Sequence, residues 1–232
     1  MVLLFDIDDT LIEHTVALEI AALSLHSYTA RAEPPHHFLA RWKQVHAEMF
    51  PRYLRGELEY KAMSRERIRK TVDPNAQDDA ADELFHLYLD AYQSAWAVCP
   101  DVFACLDRLQ SFRIGAISNG RSVEQKRKLA VVGLIDKFEH VVVSEDVGFP
   151  KPDKRIFLYA CEQMRVPPSQ ATYVGDNYEI DACGARDAGL AGVWLNRKGI
   201  PAENYSPPFV NSLNEFADLL HKSPKIQQRH DA

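Results

Sequence analysis

The stretch Val2-Leu3-Leu4-Phe5-Asp6-Ile7-Asp8-Asp9-Thr10-Leu11 does most to narrow what this chain can become. Four apolar residues in succession suit a short strand buried on both faces, the environment of a strand in a parallel sheet. The run then stops at a carboxylate. Residues two apart in an extended chain point to the same side, so the spacing predicts that Asp6 and Asp8 share one face. Two carboxylates that close repel each other unless a cation or a shared proton lies between them. Open α/β sheets also bind ligands beyond the carboxyl ends of their strands. A strand followed by an ordinary Asp-rich turn is the plainer reading of the same residues, and the rest of the chain must decide.

After Leu11 the pattern changes to helix. Val16, Ile20, Leu23 and Ser27 recur at helical spacing, and Ala17, Ala21 and Leu25 widen that stripe. Pro34-Pro35 breaks the chain, and Phe38, Trp42, Val45 and Met49 carry a second helix as far as Pro51. Residues 58–72 and 80–96 give two more. These helices form a module inserted directly after the first strand, where it would sit as a lid over a site.

From Pro100 the chain alternates between strand and helix. Short apolar strands are expected at 113–117, 140–143, 171–174 and 191–195, with a possible edge strand at Phe209-Val210. Helices lie between them. Ser122 with Gln125 has the form of a capping box opening a helix to about Val132, Asp153 to Met164 reads as a helix, and residues 179–188 form one stopped by Gly189. Such alternation predicts an α/β fold: a doubly wound parallel sheet, a Rossmann-like core, with right-handed crossovers and an inserted all-α cap domain. Residues 1–13 and 98–222 make the core, 14–97 the cap, and 223–232 a polar, flexible tail.

Charge and cysteine content remove several classes of function. Lys and Arg number 27 against 33 Asp and Glu, and no basic stripe is present, so a nucleic-acid surface is not expected. No apolar run approaches the length of a membrane span, and the short run before Asp6 is no signal-peptide core. Cys99, Cys105, Cys161 and Cys183 form no CxxC pair or metal-ligand spacing, which suits free thiols in a cytoplasmic protein.

The polar residues collect at four strand ends, which a parallel sheet places along one edge. They are Asp6 and Asp8; Ser118, Asn119 and the turn at Gly120; Lys151 between Pro150 and Pro152; and Asp176 in Gly175-Asp176-Asn177, with Asp181 following. Asp6, Asp8 and Asp176 could face one hard cation, and Mg²⁺ is bound by a few carboxylates together with water and phosphate oxygens. Ser118 and the amides of a tight turn are short donors suited to phosphate oxygens. Lys151 would supply a point charge on a stiff mounting. Taken singly, Ser118 to Gly120 is an ordinary turn, Asp176 a helix cap and Lys151 a surface lysine; their joint occurrence in this order is what points to chemistry.

As a set, FDIDDTL, ISNG, GFPKPD and GDNYEID resemble the four ordered motifs of the haloacid dehalogenase (HAD) superfamily, and the helical insert resembles its cap. The resemblance covers residues 1 to about 221 and follows the phosphatase form, because the second aspartate, absent from the dehalogenase branch, is present as Asp8. Residues 133–196 are most similar to the nucleotidase and N-acylneuraminate-9-phosphatase-like branch. The resemblance implies a Mg²⁺-dependent phosphomonoesterase acting on a small soluble phosphate ester, a nucleoside monophosphate or a sugar phosphate. It implies Asp6 as nucleophile, forming an aspartyl-phosphate. Asp8 would be general acid and base, with its main-chain carbonyl on the metal and its pKa raised by burial beside other carboxylates. Ser118, Asn119 and Lys151 would hold the phosphoryl group, Asp176 would complete the metal site, and Asp181 would steady Lys151 or the metal's waters. A phosphomutase using the same aspartyl-phosphate and a non-catalytic binding module are the alternatives. In the cap, Arg52 and Tyr53 are substrate-contact candidates, with Trp42, Met49, Phe50 and Tyr60 beside them unless these form the cap's own core; Arg121 is a candidate in the core.

Overall fold

The computed structural model describes residues 1–30, 32–201 and 205–222; the expected tail, 223–232, lies outside the described residues. The chain divides into two compact units, one built from Met1–Ile12 and the chain from Val98 onward, the other from Glu13–Ala97.

The first unit is a six-stranded parallel sheet whose strands lie side by side in the order 140–143, 113–118, 2–5, 171–175, 191–195 and 209–210. Its strands are β1 (Val2–Phe5), β2 (Arg113–Ser118), β3 (His140–Val143), β4 (Ala171–Gly175), β5 (Ala191–Leu195) and β6 (Phe209–Val210). The opening apolar run takes the central place because both of its faces are covered. Leu3 and Phe5 point into a cluster with Leu106, Leu129 and Phe216, whereas Val2 and Leu4 point into one with Phe157, Met164 and Tyr173. Each such side chain contributes about 1.5–3 kcal/mol by leaving water. The helices that cover the sheet are α5 (Val102–Arg108), α6 (Ser122–Val131), α7 (Ser144–Val147), α8 (Lys154–Gln163), α9 (Gly184–Asp187) and α10 (Leu213–Lys222). The four cysteines are free thiols, three of them buried.

The second unit holds α1 (His14–Tyr28), α2 (Pro35–Leu54), α3 (Tyr60–Thr71) and α4 (Asp78–Ser94). Its interior is aromatic. Phe38, Trp42, Tyr88, Tyr92 and Trp96 follow one another at ring separations of 4.7–6.2 Å, and the Arg67 guanidinium lies 4.1 Å from the Trp42 ring centre.

The structure corrects four local expectations. In α1, Val16 and Ile20 are exposed, and the buried face is Ala17, Ala21, Ala22 and Leu25; small side chains let α1 pack closely against α4. Helix α2 runs through Pro51, whose carbonyl still accepts from the Arg55 amide at 3.1 Å. Ser122 and Gln125 form no capping box. Ser122 is already inside α6, where its amide and hydroxyl donate to Glu145 and Asp146 at 2.8 Å, and Gln125 points to other partners. The helix expected at 179–188 opens as a π-helical turn, Tyr178–Cys183, capped by the Asn177 side chain, before α9.

Candidate active site

The parallel register brings the expected strand ends to one edge. Phe5 lies opposite both Ala116 and Val174, so Asp6 follows level with the ends of β2 and β4, and its amide donates to the Val174 carbonyl at 2.9 Å. Beyond Phe5 the chain does not stay extended. Asp9 takes a left-handed conformation, φ 58°, and the Ile12 amide returns to the Ile7 carbonyl. This tight loop delivers Thr10 back to the site, where its hydroxyl donates to Asp6 Oδ2 at 3.1 Å and accepts from the Asp176 amide at 3.1 Å. Thr10 therefore ties the end of β1 to the end of β4.

Lys151 lies at the centre of the site. It is 5% exposed, and its ammonium donates to Asp6 Oδ1 at 2.5 Å, Asp181 Oδ1 at 2.7 Å and the Tyr173 hydroxyl at 2.8 Å. Its backbone is fixed as well: Asn119 Oδ1 accepts from the Lys151 amide at 2.7 Å, and Asn119 Nδ2 donates to the Lys151 carbonyl at 3.0 Å. Asp181 is buried, not a helix-surface carboxylate. It accepts from Lys151 and Tyr173 on one oxygen and from the Asn177 amide on the other. Gly175 makes room for it, since a Cβ there would lie 2.5 Å from the Asp181 carboxyl carbon.

Asp8 is placed differently from expectation. Its carboxylate does not join Asp6, Asp176 and Asp181; it lies near Glu124, whose proton affinity it helps to raise after burial. Lys128 Nζ meets Oδ1 at 2.5 Å and Gln125 Nε2 meets Oδ2 at 2.8 Å. The cause is the loop, because same-side alternation holds only while the chain is extended, and the strand ends at Phe5. The carboxylates that do come together are Asp6, Asp176 and Asp181, whose nearest oxygens all lie within 4.8 Å of one another.

The electrostatics follow from three acids around one ammonium. Burial raises Asp6 well above the ordinary carboxylate range; Lys151 opposes this, and Asp181 and Asp176 reinforce it. Asp176 is raised to about 7, by burial first and then by Asp181 and Asp9. Burial would lower the Lys151 pKa, but Asp181 and Asp6 outweigh it and raise it. No described residue donates a hydrogen bond to the Asp176 carboxylate, whereas its backbone N–H and C=O are held by Thr10 and by the Trp194 indole. A half-buried carboxylate that faces other acids and carries no donor suits a hard divalent cation with oxygen ligands.

Ser118 ends β2 and is 1% exposed. Arg121 is the residue before α6 and is half-buried. Arg52 and Tyr53 lie in the helical unit. Arg52 is exposed and paired with Glu57 at 3.3 Å, and the Tyr53 ring packs between Phe50 and Tyr60. Trp42 and Met49 are buried in that unit's interior. The sequence reading did not anticipate Tyr173, Gln125 or Lys128. Tyr173 sits in an apolar strand and gives no signal; Gln125 and Lys128, three apart on a helix, share a face, which is a weak one.

A sequence profile described as haloacid dehalogenase-like hydrolase matches residues 1–189. The pyrimidine 5'-nucleotidase YjjG of Escherichia coli K12 is 36% identical over 158 residues, 66% of this chain and 67% of that protein. Human N-acylneuraminate-9-phosphatase is 32% identical over 160 residues, 67% of this chain and 64% of that protein. Among solved structures, Bacillus subtilis YfnB bound to magnesium superposes with a TM-score of 0.76 at 25% identity, covering 94% of this chain and 97% of that one. The nucleotidase and the N-acylneuraminate phosphatase match to similar degrees, so the narrower branch expected from residues 133–196 is not distinguished. No helix among the described residues is long and apolar enough to cross a membrane.

Proposed function

The chain belongs to the haloacid dehalogenase-like hydrolases, and from that premise we propose that it is a Mg²⁺-dependent phosphomonoesterase acting on nucleoside monophosphates. The observation that carries the reading is the constellation of buried Asp6, Lys151 and Asp181 with half-buried Asp176. It offers a carboxylate held at one oxygen by Thr10 and at the other by Lys151, next to a carboxylate with no donor among the described residues. Nucleoside monophosphates are preferred over sugar phosphates on the likeness to the pyrimidine nucleotidase.

In this reading Asp6, Asp176 and the Asp8 carbonyl would hold Mg²⁺, while Asp181 stays with Lys151. When bound, Mg²⁺ would neutralise charge on the phosphate oxygens, without which a carboxylate is a poor nucleophile toward an anionic ester. One oxygen of Asp6 attacks phosphorus, the ester P–O bond breaks, and Asp8, which must enter this step protonated, gives that proton to the leaving oxygen. Asp8 then takes a proton from water, the water oxygen attacks phosphorus, and the acyl-phosphate P–O bond breaks to release Asp6 and inorganic phosphate. Lys151 and Ser118 hold the phosphoryl oxygens through both steps, as preorganised donors where charge develops. Tyr173 and Asp181 fix the lysine, and Asn119 fixes the loop that carries it.

Phosphate release across nucleoside monophosphates and sugar phosphates tests this. Turnover with Mg²⁺, loss of it in excess EDTA, and higher kcat/KM on nucleotides are expected. Failure to release phosphate from any ester, or full activity in EDTA, would remove the assignment; higher kcat/KM on sugar phosphates would remove the nucleotide preference.

A further inference from the structure

Helix α6 turns one face to the site, and the catalytic scheme above does not use it. Gln125 and Lys128 lie three residues apart on this helix, so their side chains project from neighbouring turns of one face. Both are buried, and Lys128 is 0% exposed. A lysine ammonium is seldom placed so deep unless it is paired, because stripping its water is costly. It pairs with Asp8 Oδ1 at 2.5 Å, with the Glu124 carboxylate also near it.

Gln125 takes the other oxygen. Its Nε2 donates to Asp8 Oδ2 at 2.8 Å and to the Asn119 carbonyl at 3.2 Å. Its Oε1 is buried with no partner among the described residues. The amide is therefore oriented by what its nitrogen reaches, Asp8 and the turn after β2, and not by a bond that ties it into its own helix. Asn119 in turn exchanges two hydrogen bonds with the Lys151 backbone. Helix α6, the Ser118–Gly120 turn and the Lys151 loop thus form one hydrogen-bonded frame that reaches Asp8 at both of its oxygens.

We propose that Lys128 and Gln125 are positioning residues that fix the Asp8 carboxylate, one oxygen each, for its proton transfers. This inference rests on the acid–base role given to Asp8 in the proposed function. An ion pair that merely pins α6 to the loop after β1 would have the same geometry but different kinetics. A structural pin affects all substrates and all backgrounds alike. A positioning residue acts only through Asp8, and only where the leaving group needs a proton.

The experiment is single-turnover transfer to Asp6 in a double-mutant cycle. Lys128→Met and Gln125→Met are each made in the wild type and in Asp8→Asn, and each is assayed with a nucleoside monophosphate and with p-nitrophenyl phosphate. Loss of a group that supports a functional side chain commonly lowers activity ~10–100-fold. Lys128→Met should therefore slow transfer from the nucleotide by about that factor. It should slow transfer from p-nitrophenyl phosphate much less, leave KM within roughly threefold, and add nothing in the Asp8→Asn background. Should Lys128→Met not fold, Gln125→Met carries the same test, because it frees the other oxygen. Equal slowing of both substrates, or an undiminished loss in the Asp8→Asn background, overturns the positioning role. If Asp8→Asn itself slows both substrates equally, the acid–base assignment falls and this inference falls with it. If Asp8→Asn slows the nucleotide selectively while the Lys128 and Gln125 losses are additive, the assignment stands and only the positioning role is lost.

Discussion

Replacing Asp176 by asparagine should make the metal-free protein more stable and the metal-loaded protein no more stable than that. The Asp176 pKa is raised to about 7, by burial and then by Asp181 and Asp9, whereas an aspartate in the unfolded chain titrates near ~3.9. Between those values the folded chain holds a proton that the unfolded chain has released. Stability therefore falls as pH rises through that window, and the loss is complete above the folded pKa. At 1.36 kcal/mol per unit, this proton linkage at Asp176 costs the metal-free fold about 2 kcal/mol at about pH 5.5, where the folded side chain must stay protonated, and about 4 kcal/mol at about pH 8, where it is ionised. Asparagine keeps the shape without the charge. In a chain of this length about 2–4 °C of melting temperature accompanies each kcal/mol. Thermal unfolding followed by circular dichroism in EDTA should show Asp176→Asn melting some 8–16 °C above the wild type near pH 8, and about half that near pH 5.5. Adding Mg²⁺ should raise the wild-type melting temperature near pH 8 and leave the variant almost unmoved, because ligand binding stabilises only a fold that can bind. If Asp176→Asn melts at or below the wild type in EDTA near pH 8, or keeps the full Mg²⁺-induced rise, Asp176 is not a strained metal ligand.

Four further substitutions probe the other residues. Gly175→Ala places a Cβ 2.5 Å from the Asp181 carboxyl carbon, so a loss of about 1–3 kcal/mol in urea unfolding is expected from overpacking; the lysine's anchor moves with it, and kcat should fall as well. Tyr173→Phe removes the hydroxyl between Lys151 and Asp181, and should lower kcat by roughly 10-fold while leaving the magnesium affinity, read by calorimetry, within about twofold. Arg52→Ala and Tyr53→Ala should shift KM or the order of preferred substrates in the phosphate-release panel while leaving the magnesium requirement intact; an unchanged profile in both would move specificity elsewhere, with Arg121 the next residue to change.

The architecture could be read from the chain because each part of it has a local cause. Apolar runs of four to six residues, each stopped by a polar turn, mark buried parallel strands, and parallel strands carry their ends to one edge. That reasoning brought Asp6, Lys151 and Asp176 together, and the family resemblance put Asp181 beside the lysine. It failed for Asp8, because same-side alternation ends with the strand at Phe5 and the loop to Ile12 folds back on itself. It failed for Ser122 and Gln125, because a capping motif is a local preference and tertiary partners, Glu145, Asp146 and Asp8, won over it. In α1 Val16 and Ile20 are exposed while Ala17, Ala21 and Leu25 of the same expected stripe are buried, because close helix packing selects alanine. Tyr173 and Lys128 could not be read at all: a tyrosine in an apolar strand and a lysine on a helix look ordinary until the fold brings acids to them.

The central claim is that Asp6 carries the phosphoryl group between substrate and water. It is tested most directly by trapping that group. Asp8→Asn, incubated with p-nitrophenyl phosphate and Mg²⁺, loses the base for the second step and should accumulate the intermediate. Acid quench, proteolysis and mass spectrometry should then find one added phosphoryl group on the peptide containing Asp6, absent when Asp6 is asparagine and absent in EDTA. Phosphate release from the wild type with no phosphoryl group ever found on Asp6, or with the group on another residue, would contradict the account.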